Sequence, residues 1–180
     1  MNKQQVQQRV LQNGKPLDLN KFEWDENTNT FSSSEDGLVL DFRGIDDCIF
    51  KTSSDCTFNT SSNCTFKTGC GCTFNTGSDC TFNTSSYCIF KTSSDCIFNT
   101  SSDCIFNTGS YCTFNTGSKC AVVRRDVYEI IELEAGKEIK LNSYGVSGYT
   151  EVNSKKLELL KKADELINKA QELKDEANKL

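Results

Sequence analysis

An octapeptide, Cys-(Thr/Ile)-Phe-(Asn/Lys)-Thr followed by a three-residue turn segment, runs nine times from Cys48 to Lys119 without an insertion, and Cys120 opens a tenth copy that breaks off. Self-similarity at a short fixed period is the signature of a fold built by stacking identical units, each unable to bury its apolar face alone. No other feature of the 180 residues limits the fold so tightly. At 36% hydrophobic residues the chain is poor in ordinary core material, and composition alone would suggest disorder. A phenylalanine in every unit argues against that.

Side chains alternate faces along a strand, so positions one, three and five of the unit share a face. That face carries every repeat Phe, and burial is worth roughly 1.5–3 kcal/mol for each. The expected core is therefore Cys48, Cys56, Cys64, Cys72, Cys80, Cys88, Cys96, Cys104, Cys112 and Cys120, with Phe50, Phe58, Phe66, Phe74, Phe82, Phe90, Phe98, Phe106 and Phe114. Positions two and four point outward, and positions six to eight are turn formers.

Eight residues per coil leave no interior. Two units, sixteen residues, give two short strands facing each other across one core, with sheets about 10 Å apart. The expected fold is mainly β: a two-sheet β-solenoid with two octapeptides per coil, odd units in one sheet and even units in the other. Nine units make a stack on the order of 22 Å long at about 4.8 Å per rung.

The flanks read as caps. Residues 1–47 form the N-terminal cap: a short helix over 2–12 with Val6 and Val10 on one side, a hairpin around Phe22 to Phe31, and a strand over 37–42. Residues 48–120 are the solenoid. Residues 121–154 form a C-terminal β cap, with strands at 121–123 and 127–133 and a hairpin turning at Ala135-Gly136-Lys137 into 138–141. From 155 to 180 the composition shifts to Lys, Leu, Glu and Ala. Leu159, Leu166, Leu173 and Leu180 lie seven apart with Ala163, Ala170 and Ala177 between them, the stripe of a C-terminal amphipathic helix suited to packing or self-association.

The run Asp103-Cys104-Ile105-Phe106-Asn107-Thr108-Gly109-Ser110-Tyr111 resembles the octapeptide-repeat proteins encoded in phage and gut-bacterial genomes. So do the flanking stretches 13–17, 37–42 and 122–129, and the resemblance covers roughly residues 1–149. It implies architecture and a phage-like setting, with no activity attached. The pairing of two units per coil is similar to the calcium-binding β-roll, but the Gly-Gly-x-Gly-x-Asp turn of that family is missing, so its calcium does not carry over.

Candidate chemistry is sparse. Eleven cysteines would suggest a disulfide scaffold, but the count is odd, the spacing is periodic and no apolar leader opens the sequence. Reduced, buried thiols acting as small hydrophobes fit better, in a cytoplasmic setting at synthesis and with virion association as an extension of the phage-like context. Cys70 breaks the period beside Cys64 and Cys72, yet a zinc site wants four ligands and the chain has no histidine. No metal or cofactor is expected. Asp stands at position eight in four of nine units, too irregular for calcium. In the repeat, four Lys balance four Asp, so no basic stripe invites nucleic acid. No run of 18 apolar residues suggests a membrane span. Nothing pairs a nucleophile with a base, and a small-molecule site is not indicated.

The sequence thus points to a non-enzymatic structural scaffold that presents its caps or outer faces to a protein partner or to another copy. Tyr87, Tyr111, Arg124 and Arg125 are the expected contact residues. A macromolecular inhibitor is the alternative, and an ice- or ligand-binding solenoid with outward Thr and Ile rows is a third reading.

Overall fold

The computed structural model describes residues 1–152 together with the isolated positions Ala163 and Lys169. The helix expected over 155–180, with the heptad stripe assigned to it, otherwise lies outside the described residues. Before the repeat come α1 (Lys3–Gln7), β1 (Val10–Gln12), β2 (Lys15–Pro16), β3 (Glu23–Asp25), β4 (Thr30–Ser32) and β5 (Leu38–Phe42). Each octapeptide then supplies one strand: β6 (Ile49–Lys51), β7 (Thr57–Thr60), β8 (Thr65–Lys67), β9 (Thr73–Asn75), β10 (Thr81–Asn83), β11 (Ile89–Lys91), β12 (Ile97–Asn99), β13 (Ile105–Thr108) and β14 (Thr113–Asn115). After it follow β15 (Cys120–Arg124), β16 (Glu129–Leu133), β17 (Ile139–Leu141) and β18 (Tyr149–Glu151).

The strands form two nine-stranded sheets. Sheet one runs β16-β15-β13-β11-β9-β7-β5-β1-β2, and sheet two runs β18-β17-β14-β12-β10-β8-β6-β4-β3. Odd and even units do segregate, and equivalent residues stack in register: Phe50, Phe66, Phe82, Phe98 and Phe114 in sheet two, Phe58, Phe74, Phe90 and Phe106 in sheet one. Parallel pairing starts one strand before the repeat in each sheet, at β4 and β5, and runs to the last repeat strand β14 in sheet two and to β15 just after the repeat in sheet one, giving about six turns. Antiparallel strands then close both ends, so the caps prolong the sheets rather than plug them. Eight intervals of about 4.8 Å make each sheet roughly 38 Å across its strands, longer than the repeat alone predicts.

Every repeat Phe is fully buried. Rings stacked along one sheet lie 4.8–5.2 Å apart and within 12° of parallel, while rings across the core meet edge to face at 4.9–5.6 Å. Both geometries satisfy the ring quadrupole and add about 0.5–1.5 kcal/mol per pair beyond area burial.

The corners obey rules that the consensus hides. Position eight takes the left-handed conformation in all nine units, with φ between +57° and +68°. Asp, Asn and Gly suit that conformation; Tyr87, Tyr111 and Lys119 adopt it too. At position seven, Ser54 Oγ accepts the Cys70 N–H, Ser62 Oγ the Ser78 N–H and Ser102 Oγ the Ser118 N–H, at 3.1–3.2 Å. Carboxylates start these corner ladders: Asp36 accepts the Ser54 N–H and Asp46 the Ser62 N–H, each at 2.9 Å. Glycine at position six follows from the same ladder. A Cβ at Gly69, Gly77 or Gly117 would sit 2.3–2.5 Å from the serine Oγ of the preceding coil.

Two cap expectations are corrected. The helix over 2–12 shrinks to Lys3–Gln7, because Val10–Gln12 pairs antiparallel with Leu38–Leu40. Asn13 and Gly14, both at positive φ, make the hairpin turn to β2 instead of ending a helix. In the C-terminal cap, residues 127 and 128 are turn, not strand, and the hairpin closes there between β15 and β16. The Ala135–Lys137 segment instead carries the chain across to sheet two, where β17 pairs with β14.

Burial sets the mutational expectation. Phe82→Asp places a charge against four rings in the middle coil and should abolish the cooperative unfolding transition in circular dichroism. Asn83→Asp, exposed on the outer face, should shift stability by no more than about 0.5 kcal/mol. The reverse order would invert the assignment of faces.

Candidate interaction surface at the C-terminal end

The two ends of the stack are finished differently. At the N-terminal end, sheet one stops in the two-residue strand β2, whose Pro16 has no N–H to offer. Sheet two stops at β3, where Glu23 and Asp25 flank Trp24. The helix α1 buries Val6 over this end, and Trp24 donates its indole N–H to the Met1 carbonyl at 2.5 Å. Each N-terminal edge is short, charged or covered.

The C-terminal end is fixed by an arginine. Arg124, named from the sequence as a contact residue, is instead wholly buried. Its guanidinium donates to both Asp126 carboxylate oxygens, at 2.6 and 3.2 Å, and to the carbonyls of Ser143, Val146 and Gly148 at 2.7–3.3 Å. A buried cation needs this pairing: the carboxylate neutralises it and the carbonyls take its remaining donors. Burial alone would raise the Asp126 carboxyl, but the Arg124 guanidinium and the Gly145 N–H outweigh it and hold the group below the usual range. Glu129 completes the clamp by accepting the Gly148 N–H at 2.9 Å. The loop 142–148 is thereby pinned across the end.

What this clamp displays is apolar. Of twelve exposed large hydrophobic residues among those described, six lie within 128–152: Tyr128, Ile130, Tyr144, Val146, Tyr149 and Val152. Tyr128 is 95% exposed and Tyr144 79%, values that leave their rings free to bury against a partner. Beyond them the inward column of sheet two ends in a charge, since Glu151 occupies the register after Phe114 and Ile139 and pairs with Lys137 at 2.6 Å.

The other residues singled out from the sequence are scattered. Tyr87 and Tyr111 are exposed at opposite corners, 66% and 43%. Lys140 Nζ lies 5.9 Å from the Tyr111 ring centre, beside a shallow recess also lined by Asn142, Thr150 and Val152. Arg125 is exposed but donates to the Thr92 carbonyl at 2.6 Å, tying the cap to the repeat. The tyrosines and valines of the end were not singled out by sequence reasoning, although four of them flank Gly145, Gly148 or the strand after them.

Ten cysteines are buried and Cys70 is exposed, all as free thiols. Each ladder thiol from Cys80 to Cys104 donates to two corner carbonyls at 3.4–3.8 Å, and the Cys72 thiol to those of Cys70 and Ser53. The Cys112 thiol next in the stack, together with burial, pushes Cys96 up to about 12. Burial opposes the thiolate at every ladder position, and among the described residues no ion pair or cation–ring contact involves a ladder cysteine. Among the described residues, no three His, Cys, Asp or Glu side chains gather as metal ligands. No helix among them is long and apolar enough to cross a membrane.

Comparison of the chain with protein-family models, with curated proteins and with solved structures gives no match.

Two outcomes are expected. Asp126→Asn leaves a buried charge unpaired and should cost about 3–5 kcal/mol. Because the folded Asp126 is depressed, its contribution is present above the unfolded value near 3.9 and is lost as pH falls. Denaturant midpoints of wild type and variant should therefore converge below about pH 4. With a thiol reagent at neutral pH, Cys70 should react fast and the ten ladder thiols should wait for unfolding. Rapid modification of several thiols in the folded chain would show the ladders to be accessible.

Proposed function

We propose that the chain is a non-enzymatic scaffold, a rigid capped solenoid that offers its C-terminal end to a protein partner or to another copy. The observation that supports this most is the asymmetry of the ends: one is short-edged, charged and covered, while the other gathers half of the described exposed large hydrophobic residues, two of them on the loop clamped by Arg124. Exposed tyrosines held on a rigid backbone lose little entropy on binding and are frequent interface anchors. The amphipathic helix over 155–180 belongs to the same reading as a second means of association. A phage-borne, thiol-reducing intracellular setting, with attachment to a virion, is proposed from the octapeptide resemblance. The exposed tyrosines also favour a second reading, an inhibitor that covers a site on a host macromolecule.

The test is retention of a partner from host extract by the full chain, with chain mass measured in parallel. Tyr128→Asn combined with Tyr144→Ser should release a partner that wild type holds, whereas Tyr87→Ser in mid-rod should not. Equal retention by all variants would move the contact away from this end. A chain that remains monomeric and retains nothing would sink the scaffold reading.

A further inference from the structure

The outer face of sheet one changes character along the stack. Its outward rows carry Thr57, Asn59, Thr73 and Asn75 near the N-terminal end. Nearer the C-terminal end one column carries Ile89, Ile105 and Ala121 and ends in Glu132, and the other carries Lys91 and Asn107 before Val123 and Ile130. Ile89, Ile105 and Ile130 are 51%, 53% and 72% exposed. Register places Ile105 beside Ala121, and Val123 beside Ile130, so these side chains form one band across β11, β13, β15 and β16. Three inter-strand steps of about 4.8 Å make the band roughly 14 Å long. No described strand pairs beyond β16, so the band runs to an open edge.

The chain itself contains a surface of matching size. The described main body ends at Val152 on this end of the stack, and 28 residues follow. In the helical register expected there, Leu159, Leu160, Ala163, Leu166, Ile167 and Ala170 share one face. One further apolar residue per heptad beyond a bare coiled-coil seam, Leu160 and then Ile167, makes a stripe wide enough for a sheet face. The twelve positions from 159 to 170 span about 18 Å as a helix. Ala163, in the middle of the stripe, is helical and exposed, as the isoleucines of the band are.

We infer that the outer face of sheet one over β11–β16 is the seat for the 155–180 stripe of a second copy, so that two chains associate by reciprocal exchange. This rests on the helix and self-association reading above. A two-fold arrangement buries both copies' bands and stripes at once and leaves neither surface to propagate a filament.

The experiment is light-scattering mass of the full chain over a dilution series. Wild type should run at twice the chain mass. Ile105→Lys, an exposed outer position whose change leaves the core intact, should raise the dimer dissociation constant by about 30-fold or more, as loss of a central anchor does. Leu166→Lys should do the same, and Thr73→Lys, on the polar part of the same face, should not. Circular dichroism unfolding of each variant checks that the solenoid persists. A dimer lost with Leu166→Lys but kept with Ile105→Lys would overturn the inference in favour of stripe-to-stripe pairing, while leaving self-association standing. A monomeric wild type at all concentrations would remove both.

Discussion

The lattice of phenylalanine rings is the constraint from which the rest follows. Phe82 stacks on Phe66 and Phe98 within its own sheet and meets Phe74 and Phe90 edge to face across the core. Every interior ring is held in the same way, so no ring can shift without disturbing four others. An insertion of one residue would turn a Phe outward, and an insertion in a corner would break both the stacked and the edge contacts of the next ring. The unbroken period of eight is therefore a packing requirement, not a relic of duplication. It also explains why neighbouring inward positions are small: Cys and Thr fill the margins of a core already occupied by aromatic rings.

A lattice of this kind has no natural end. In sheet one the Phe column is replaced by Leu40 below and by Val122 and Ile131 above. In sheet two it passes to Phe31 below, and to Ile139 and then Glu151 above. At three of the four sheet ends the smaller Leu40, Val122 and Ile139 relax the stacking requirement where pairing turns antiparallel, and at the fourth Phe31 pairs antiparallel with Trp24. In sheet two the column then reaches Glu151, exposed and paired with Lys137, a charge unsuited to carrying another rung. Arg124 is part of the same solution. The switch to β16 leaves loop carbonyls of Ser143, Val146 and Gly148 over the end of the core, and a guanidinium can satisfy all three while Asp126 balances its charge.

How far the sequence could be read tracks how local the determinants are. The two-sheet, sixteen-residue coil was legible because alternation and period act within each unit. The left-handed corner was half legible: Asp55, Asn63 and Gly71 advertise it, but Tyr87 and Lys119 adopt it only because their neighbours in the stack impose it. The caps were legible as caps and not in detail. Val6 and Val10 have helical spacing, yet Val10 is taken by β5, where its partner Leu40 is 30 residues away in sequence. Val127 and Tyr128 read as strand, while Asp126 folds back onto Arg124 and turns them into a bend with Tyr128 at φ +53°. The role of Arg124 was misread for the same reason. A charge next to another charge reads as surface until its buried acceptors are known.

The cysteines make the same point about what a repeated residue is for. Position one faces the corner, where two carbonyls converge on the side chain: for Cys88 those of Ser86 at 3.6 Å and Gly69 at 3.8 Å. Alanine would leave a void and remove the thiol's weak bonds, leaving the Ser86 carbonyl with the Gly71 N–H and the Gly69 carbonyl with the Thr68 hydroxyl. Serine would donate but put a strongly hydrated group beside the rings, and valine would be too broad at a position that stacks on its own copy every coil. A thiol is apolar enough for the core, slim enough to stack and still a weak donor. Ten such thiols in two columns need no redox or metal chemistry to account for them, because each meets a packing and hydrogen-bonding demand that the ring lattice creates at its edge.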